Sequence, residues 1–531
     1  MRSSKTSTQF TGPAGPPEKA GTEPPAIVES ESGGDRIDRQ PGPFKVYFPP
    51  STHPVACSRA AAKALSQPMS SFVPRHLVAL ATALAVLILL SPRAAQAQTN
   101  EFRGLWVDAF NTGFKTSAQV SQLVADARSG NYNALIVQMR RRGDAFYNSN
   151  FEPKNSEVSP STFDPLADLT TKAHDTSGGR QRIEVHAWIV SFPIWNSTNT
   201  IPSSPSHPYR QRPEWLTQES NGNKWDGSNF FLDPGHPEVQ RHTFNVAMDI
   251  ISRYDVDGLN FDYIRYSGKT WGYNPVSVAR FNQRFGRSGL PATTDTSWLQ
   301  FRRDQVTSLV RKVYLHAAAI KPQVKISADT ICFAPGVTTA SQWTNSAEAY
   351  TDKLQDWRSW TEEGIIDLNI PMMYFDHVQY GGAWTNWSTF AKNHQFNRHT
   401  ALGPGIYLNT VSNTFHQVRT ARLPSPSTTN VARGLSFYAY SLSNDEGVSR
   451  ANFLAALTQT NSAAVYDTSG SGPVFATKAT TPAMPWKTSP TRGHLKGFAI
   501  QAGTTNGLDF AGVTITGPTN RTLRADRKSV V

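Results

Sequence analysis

Between residues 100 and 445 the chain alternates between two hydrophobic rhythms. Short runs of β-branched and aromatic residues give way to stretches with apolar residues three and four apart, and then the runs return. The first kind reads as buried strand, the second as amphipathic helix. Eight strands are predicted: 104–109 (GLWVDA), 134–139 (ALIVQM), 183–190 (IEVHAWIV), 258–264 (GLNFDYI), 324–329 (VKISAD), 367–374 (DLNIPMMY), 402–408 (LGPGIYL) and 434–440 (GLSFYAY). Helical spacing is clearest over 120–127, 244–254, 305–319 and 353–361. This alternation predicts an α/β fold, a closed (β/α)8 barrel with long insertions. The competing open, doubly wound sheet would want a glycine-rich phosphate turn after its first strand, where LWVDAFNTGF stands instead.

The ends have other patterns. Residues 77–90 (LVALATALAVLILL) are uncharged and apolar, too short for a span of about 20 residues. Arg75 and His76 precede the run, and Ala95-Gln96-Ala97 follows it. Residues 69–97 are therefore expected to be a secretory signal cleaved before Gln98, exporting a protein that does not stay inserted in the membrane. Residues 1–68, rich in Pro, Gly, Ser and charge, precede Met69, which is expected to be the true start. The barrel is expected over 98–462, a Thr/Ser/Pro/Gly-rich linker or wrap over 463–492, and a truncated β-sandwich-like module over 493–531. The final DRKSVV matches the translation of a short sequencing adapter, so the chain is expected to be a truncated read.

Composition narrows the function. The 531 residues carry a formal charge of +12, of which +4 belongs to residues 1–97, and no Lys/Arg run exceeds the three of Arg140, Arg141 and Arg142. That dispersed charge does not point to nucleic acid. The two cysteines, Cys57 and Cys332, fall on either side of the expected cleavage, so no internal disulfide is expected. Neither zinc-type spacing, HExxH nor GxSxG occurs, and no metal or cofactor is expected.

In such barrels the active site lies where the strands end. Every predicted strand carries polar residues two apart near that end, on one face: Trp106/Asp108, Gln138/Arg140, His186/Trp188, Asn260/Asp262, Ser327/Asp329, Tyr374/Asp376, Tyr407/Asn409 and Tyr438/Tyr440. Asp257, beside Gly258, reads as a turn residue. Asp262 sits among apolar neighbours and needs a partner or a task, with Arg265 three residues on as the candidate partner. Glycoside hydrolysis needs two carboxyl groups. Asp262 is the first candidate; Asp329, Asp376 and Asp108 compete to be the second. His186 is a candidate to bind substrate or tune a carboxylate, and Trp106, Trp188, Tyr374 and Tyr407 are candidate sugar platforms, with core packing the alternative for each.

Several segments resemble the family-ten-like glycosyl hydrolases of bacterial envelopes: EFRGLWVDAF (101–110), NALIVQMRRRGDAFYNSNFEP (133–153), FDPLADLTTKAH (163–174), LDPGHPEVQ (232–240), YDVDGLNFDYIRY (254–266) and later echoes to residue 440. The resemblance implies a (β/α)8 barrel, glycosidase activity on a cell-envelope or extracellular polysaccharide such as peptidoglycan glycan strands, and lumen positions at Arg103, Gln138, Arg140, Asp144, His186, Asp262, Arg265 and Tyr266. Asn260 joins them as a substrate-binding candidate from its strand-end position. Ser267 and Arg141 stand where the family usually has proline, which weakens transfer of substrate. No lipobox cysteine precedes Gln98. The alternative is a carbohydrate-binding or surface-attachment barrel that has lost catalysis.

Overall fold

The computed structural model describes residues 99–467, 469–491, 493–495, 497, 499, 512–515 and 521–524. The expected signal peptide and the extension before it lie outside these residues. Eight parallel strands close into a barrel: β1 (Phe102–Val107), β2 (Ala134–Arg140), β3 (Glu184–Val190), β4 (Gly258–Asp262), β5 (Lys325–Ile331), β6 (Leu368–Met373), β7 (His399–Pro404) and β8 (Gly434–Phe437). Each strand pairs with its neighbours in sequence, and β8 pairs with β1 through Phe102↔Gly434 to Leu105↔Phe437. The predicted barrel is the one observed. The seventh strand begins earlier than expected, at His399, and Ile406–Leu408 is a single helical turn. Pairing with the eighth strand runs on to Gly405, which bridges Tyr438, before that turn begins.

The strands are almost wholly buried because both faces are covered, which is why they read as continuous apolar runs. One face packs on the surrounding helices. The other fills the lumen with Phe102, Trp106, Ala134, Ile136, Trp188, Val190, Leu368, Ile370 and Ala401. Gly403 makes room for the largest of these: a Cβ there would stand 2.7 Å from the Trp106 ring and 2.7 Å from the Pro371 carbonyl. Asp257 acts at the opposite, entry end. It accepts from the Val185 N–H at 2.8 Å and from Arg182 at 2.7 Å, fixing the start of β4 beside β3.

Residues 470–488 pass under the entry end of the barrel. Phe475 is fully buried, Arg103 donates to the Thr477 carbonyl at 2.6 Å, and the Glu101 N–H donates to Thr480 O at 2.9 Å. Trp486 Nε1 donates to Asp367 at 2.7 Å, and Lys487 pairs with the same carboxylate at 2.7 Å. The stretch expected to be a linker or wrap thus forms the floor of the barrel. Of the expected C-terminal module, the described residues show one antiparallel pair, Gly512–Ile515 with Arg521–Arg524.

Candidate active site

Asp262 ends β4 and Asp329 lies on β5 at the same level, one pair beyond the Phe261↔Ala328 register. Both point into the mouth of the lumen and both are buried, 5% and 2% exposed. Asp262 is well supplied with partners. Trp188 Nε1 donates to Oδ2 at 3.2 Å, the Tyr263 N–H donates to Oδ1 at 2.6 Å, and Arg265 Nη1 stands 3.6 Å from Oδ1. Asp329 has less. Asn260 Nδ2 donates to its Oδ2 at 2.8 Å, while Oδ1 has no regular hydrogen bond. Asn260 is itself held by the Ser327 hydroxyl at 2.7 Å.

These surroundings separate the two carboxyls electrostatically. Burial raises the pKa of Asp262, opposed by Arg265, the Tyr263 N–H and Trp188. Burial raises Asp329 well above the carboxylate range, and the nearby Asp262 charge pushes it further. Two carboxyls that repel one another cannot both ionise cheaply. The partners favour charge on Asp262, so Asp329 is the one of the two that holds its proton to higher pH.

Aromatic rings surround the pair. Tyr374 and Tyr438 stack with centroids 4.9 Å apart, Trp106 meets them edge-on at 6.2 and 6.0 Å, and Tyr407 closes on Tyr438 at 5.8 Å. Trp188 lies 6.5 Å from Tyr438. Burial raises the Tyr374 hydroxyl well above its usual pKa, so it stays a neutral donor. Tyr263 joins the cluster by a different route. It has φ of +49°, a left-handed conformation costly for a tyrosine. That turn aims its N–H at Asp262 and swings its ring back toward the lumen residues. Arg265 stacks on the ring at 4.0 Å.

The structure therefore brings together Asp262, Asp329, Trp106, Trp188, Asn260, Arg265, Tyr374 and Tyr407. Sequence reasoning left Tyr263 and Tyr438 out of the site; Tyr438 carried the same strand-end signal as the others, whereas nothing in the spacing announced the kink at Tyr263.

The remaining candidates stand elsewhere or are otherwise engaged. Arg103 faces outward at the entry end, bonded to Glu101 at 2.8 Å and lying over Phe475. It was expected in the lumen, but its odd position on β1 turns it away. His186 is on the lumen face but low. It pairs in register with Gly258, while Val190 pairs with Asp262, so it sits about 13 Å down the strand. There it bonds Glu184 at 3.1 Å. Tyr266 packs in the outer core beside Arg302 rather than in the lumen, since the chain has already turned away from the barrel. Asp376 caps the helix His377–Asn393 through the Gln379 N–H at 2.9 Å. Asp108 holds its own loop through the Phe110 and Asn111 N–H groups at 2.9 and 3.0 Å. Gln138 accepts from the Ala109 N–H at 2.8 Å, and Asp144 accepts from the Arg142 N–H at 3.0 Å.

Arg140 is a buried brace. It makes two bonds to Glu152, at 2.8 and 2.7 Å, and reaches the carbonyls of Val190 and Ser191 at the end of β3. Burial opposes the Glu152 charge, but Arg140 and His242 outweigh it and hold that carboxyl well below the usual range. Arg140→Ala should cost about 3–5 kcal/mol in a denaturant melt, because it strands a buried charge. A loss under about 1 kcal/mol, the level of a surface pair, would show that the brace does not hold β2 to β3.

Among the described residues no group of three or more His, Cys, Asp or Glu is arranged to hold a metal, and no helix is long and apolar enough to cross a membrane.

A family model described as glycosyl hydrolase-like 10 matches residues 101–419. The chain belongs to this family. The match runs from β1 past β7 and so contains both carboxyls. Glycosyl hydrolase YngK of Bacillus subtilis is 26% identical over 368 residues, 63% of this chain and 66% of that protein, so the chain spans just under two thirds of that relative's length. Glycosyl hydrolase DigH of Escherichia coli K12 is 25% identical over 327 residues, 54% of this chain and 68% of that protein. Among solved structures, the glycoside hydrolase domain of PgaB (BpsB) from Bordetella bronchiseptica superposes with a TM-score of 0.47 at 14% identity, covering 69% of this chain and 98% of that one.

Proposed function

We propose that this glycosyl hydrolase-like 10 protein is an exported glycoside hydrolase acting on a cell-envelope or extracellular polysaccharide, with peptidoglycan glycan strands as a candidate substrate. The observation that carries the proposal is the pair of buried carboxyls at one level of the barrel mouth, unequally supplied with partners, within a wall of aromatic rings. Glycosidic cleavage divides its work in that way. Asp329 donates its proton to the leaving oxygen. Asp262, whose charged form Arg265, Trp188 and the Tyr263 N–H favour, acts on the anomeric carbon directly or through water. Asn260 orients Asp329, and Trp188 and the tyrosine rings offer faces for the sugar. The apolar run ahead of Ala95-Gln96-Ala97 supports export.

The test is reducing-sugar release from peptidoglycan glycans and a panel of other polysaccharides, wild type against Asp262→Asn. Activity should fall by about 10²- to 10⁴-fold in a variant that still folds. Binding without cleavage, unchanged by the substitution, would instead favour a carbohydrate-binding barrel.

A further inference from the structure

Two arginines act on Tyr263 through their charge, and only one of them has a carboxylate within ion-pair distance in the site. Arg265 faces Asp262. Arg142 lies just beyond the end of β2, and its Nε donates to Asn229 Oδ1 at 3.2 Å. Asn229 is two residues before Phe231, whose ring lies 6.1 Å from Tyr263. One short segment of the β3–β4 insertion therefore seats both Arg142 and Tyr263, the residue that follows Asp262. Arg142 is near enough for its charge to act on the Tyr263 hydroxyl. Its guanidinium also lies 5.0 Å from the ring of Phe110, which is 52% exposed at the end of β1.

The neighbouring arginines are neutralised. Arg140 has Glu152, and Arg141 has Glu157 at 2.9 Å and Asp144 at 3.5 Å. Asp144 is further engaged by Asn155 and by the Arg142 backbone. Asp226, the other acid acting on Tyr263, accepts from the Ser228 and Asn229 N–H groups at 2.9 and 2.7 Å and from Ser267. Among the described residues no carboxylate forms an ion pair with Arg142, and no acceptor is bonded to its two terminal nitrogens. A half-buried guanidinium, held at Nε with its terminal fork free of protein acceptors, has the form of a receptor for a planar anion.

We propose that Arg142 recognises a carboxylate carried by the sugar unit bound beside Asp262, so that the enzyme prefers acidic glycans to their neutral counterparts. This rests on the glycosidase reading for the identity of the ligand as a sugar, though binding can be measured without turnover. Two sources of such a carboxylate are uronic acids and lactyl ethers of amino sugars. Fork recognition takes either; the geometry around the sugar ring separates them.

The experiment uses the full chain carrying Asp329→Asn, to suppress cleavage, with Arg142 intact or as Arg142→Gln. Calorimetry measures binding of uronic-acid oligosaccharides and of lactyl-ether-containing glycan oligosaccharides, each as the free acid and as its methyl ester. With Arg142 intact, at least one free acid should bind about tenfold or more tighter than its ester, the scale of a charge-assisted hydrogen bond. Arg142→Gln should remove most of that preference. Whichever source shows the effect identifies the ligand. A preference that survives Arg142→Gln, no preference for either acid, or an equal loss of acid and ester binding would overturn the proposal; the last would mean that Arg142 only pins the Asn229 segment. Acid preference that depends on Arg142, beside a wild-type protein that releases no reducing sugar from any of these glycans, would uphold this inference and reject the glycosidase reading.

Discussion

Asp329→Asn should give a protein that no longer releases reducing sugar yet is more stable than wild type, by a margin that grows as pH rises. On the proposed mechanism the activity loss, about 10²- to 10⁴-fold, follows from removing the proton donor. The stability gain follows from where the proton sits. Unfolded, Asp329 titrates near pH 4. Folded, burial and the Asp262 charge keep it protonated to much higher pH. Below the unfolded pKa both states hold the proton and folding is unaffected by pH. Above it the unfolded chain releases the proton while the folded chain retains it, so wild-type stability declines with pH until the folded group also ionises. Asparagine has no such titration, and its amide oxygen still accepts from Asn260. Melting temperatures of the two proteins from about pH 4 to pH 8 provide the check. Parallel curves would mean that Asp329 titrates as an ordinary carboxylate and is not the acid. Active sites often carry groups that cost stability for chemistry, and this pair is placed to be one.

Ending the chain at residue 462 should be the most destructive change of all, although it removes no residue of the site. The floor of the barrel would be lost. Phe475 stacks against Phe437 at 5.5 Å and meets Tyr132 at 5.8 Å; its removal alone matches a large core truncation of about 3–5 kcal/mol. Asp367 would lose Trp486 and Lys487, and the Asn131 and Asn133 amides would lose the Phe475 and Ala479 carbonyls at 2.7 and 3.0 Å. Against a net stability of about 5–15 kcal/mol, that sum should leave the truncated protein unfolded or melting about 10 °C or more lower. Ending it at residue 490 should have little effect by comparison. Equal melting temperatures for the two would show that the floor is only a covering.

The eight strands were legible because parallel strands buried on both faces leave continuous runs of Val, Ile, Leu and aromatic residues. The site was legible in part for a related reason: alternation reports which face a residue takes. It put Asp262, Asp329, Trp106 and Trp188 on the lumen face, where they lie. Alternation does not report height, so His186 shared their face but belongs near the opposite end. It also fails where the backbone leaves the extended region, and Tyr263 is such a place. By parity its ring belongs outside, but its left-handed φ returns it to the lumen. Arg140 and Asp376 were misread for another reason. Spacing cannot distinguish a polar side chain that awaits a ligand from one already bonded to Glu152 or to a helix N-terminus.

The floor has a consequence for how this protein can be held. The Thr480 N–H donates to the Thr99 carbonyl at 2.9 Å, so the chain entering β1 and the chain leaving the barrel run side by side beneath it. A tether joined at either place pulls on the closed end. Immobilised on a bead through residue 99 or through residue 490, the barrel would stand with its mouth directed away from the support, open to a polymer too large to diffuse around it.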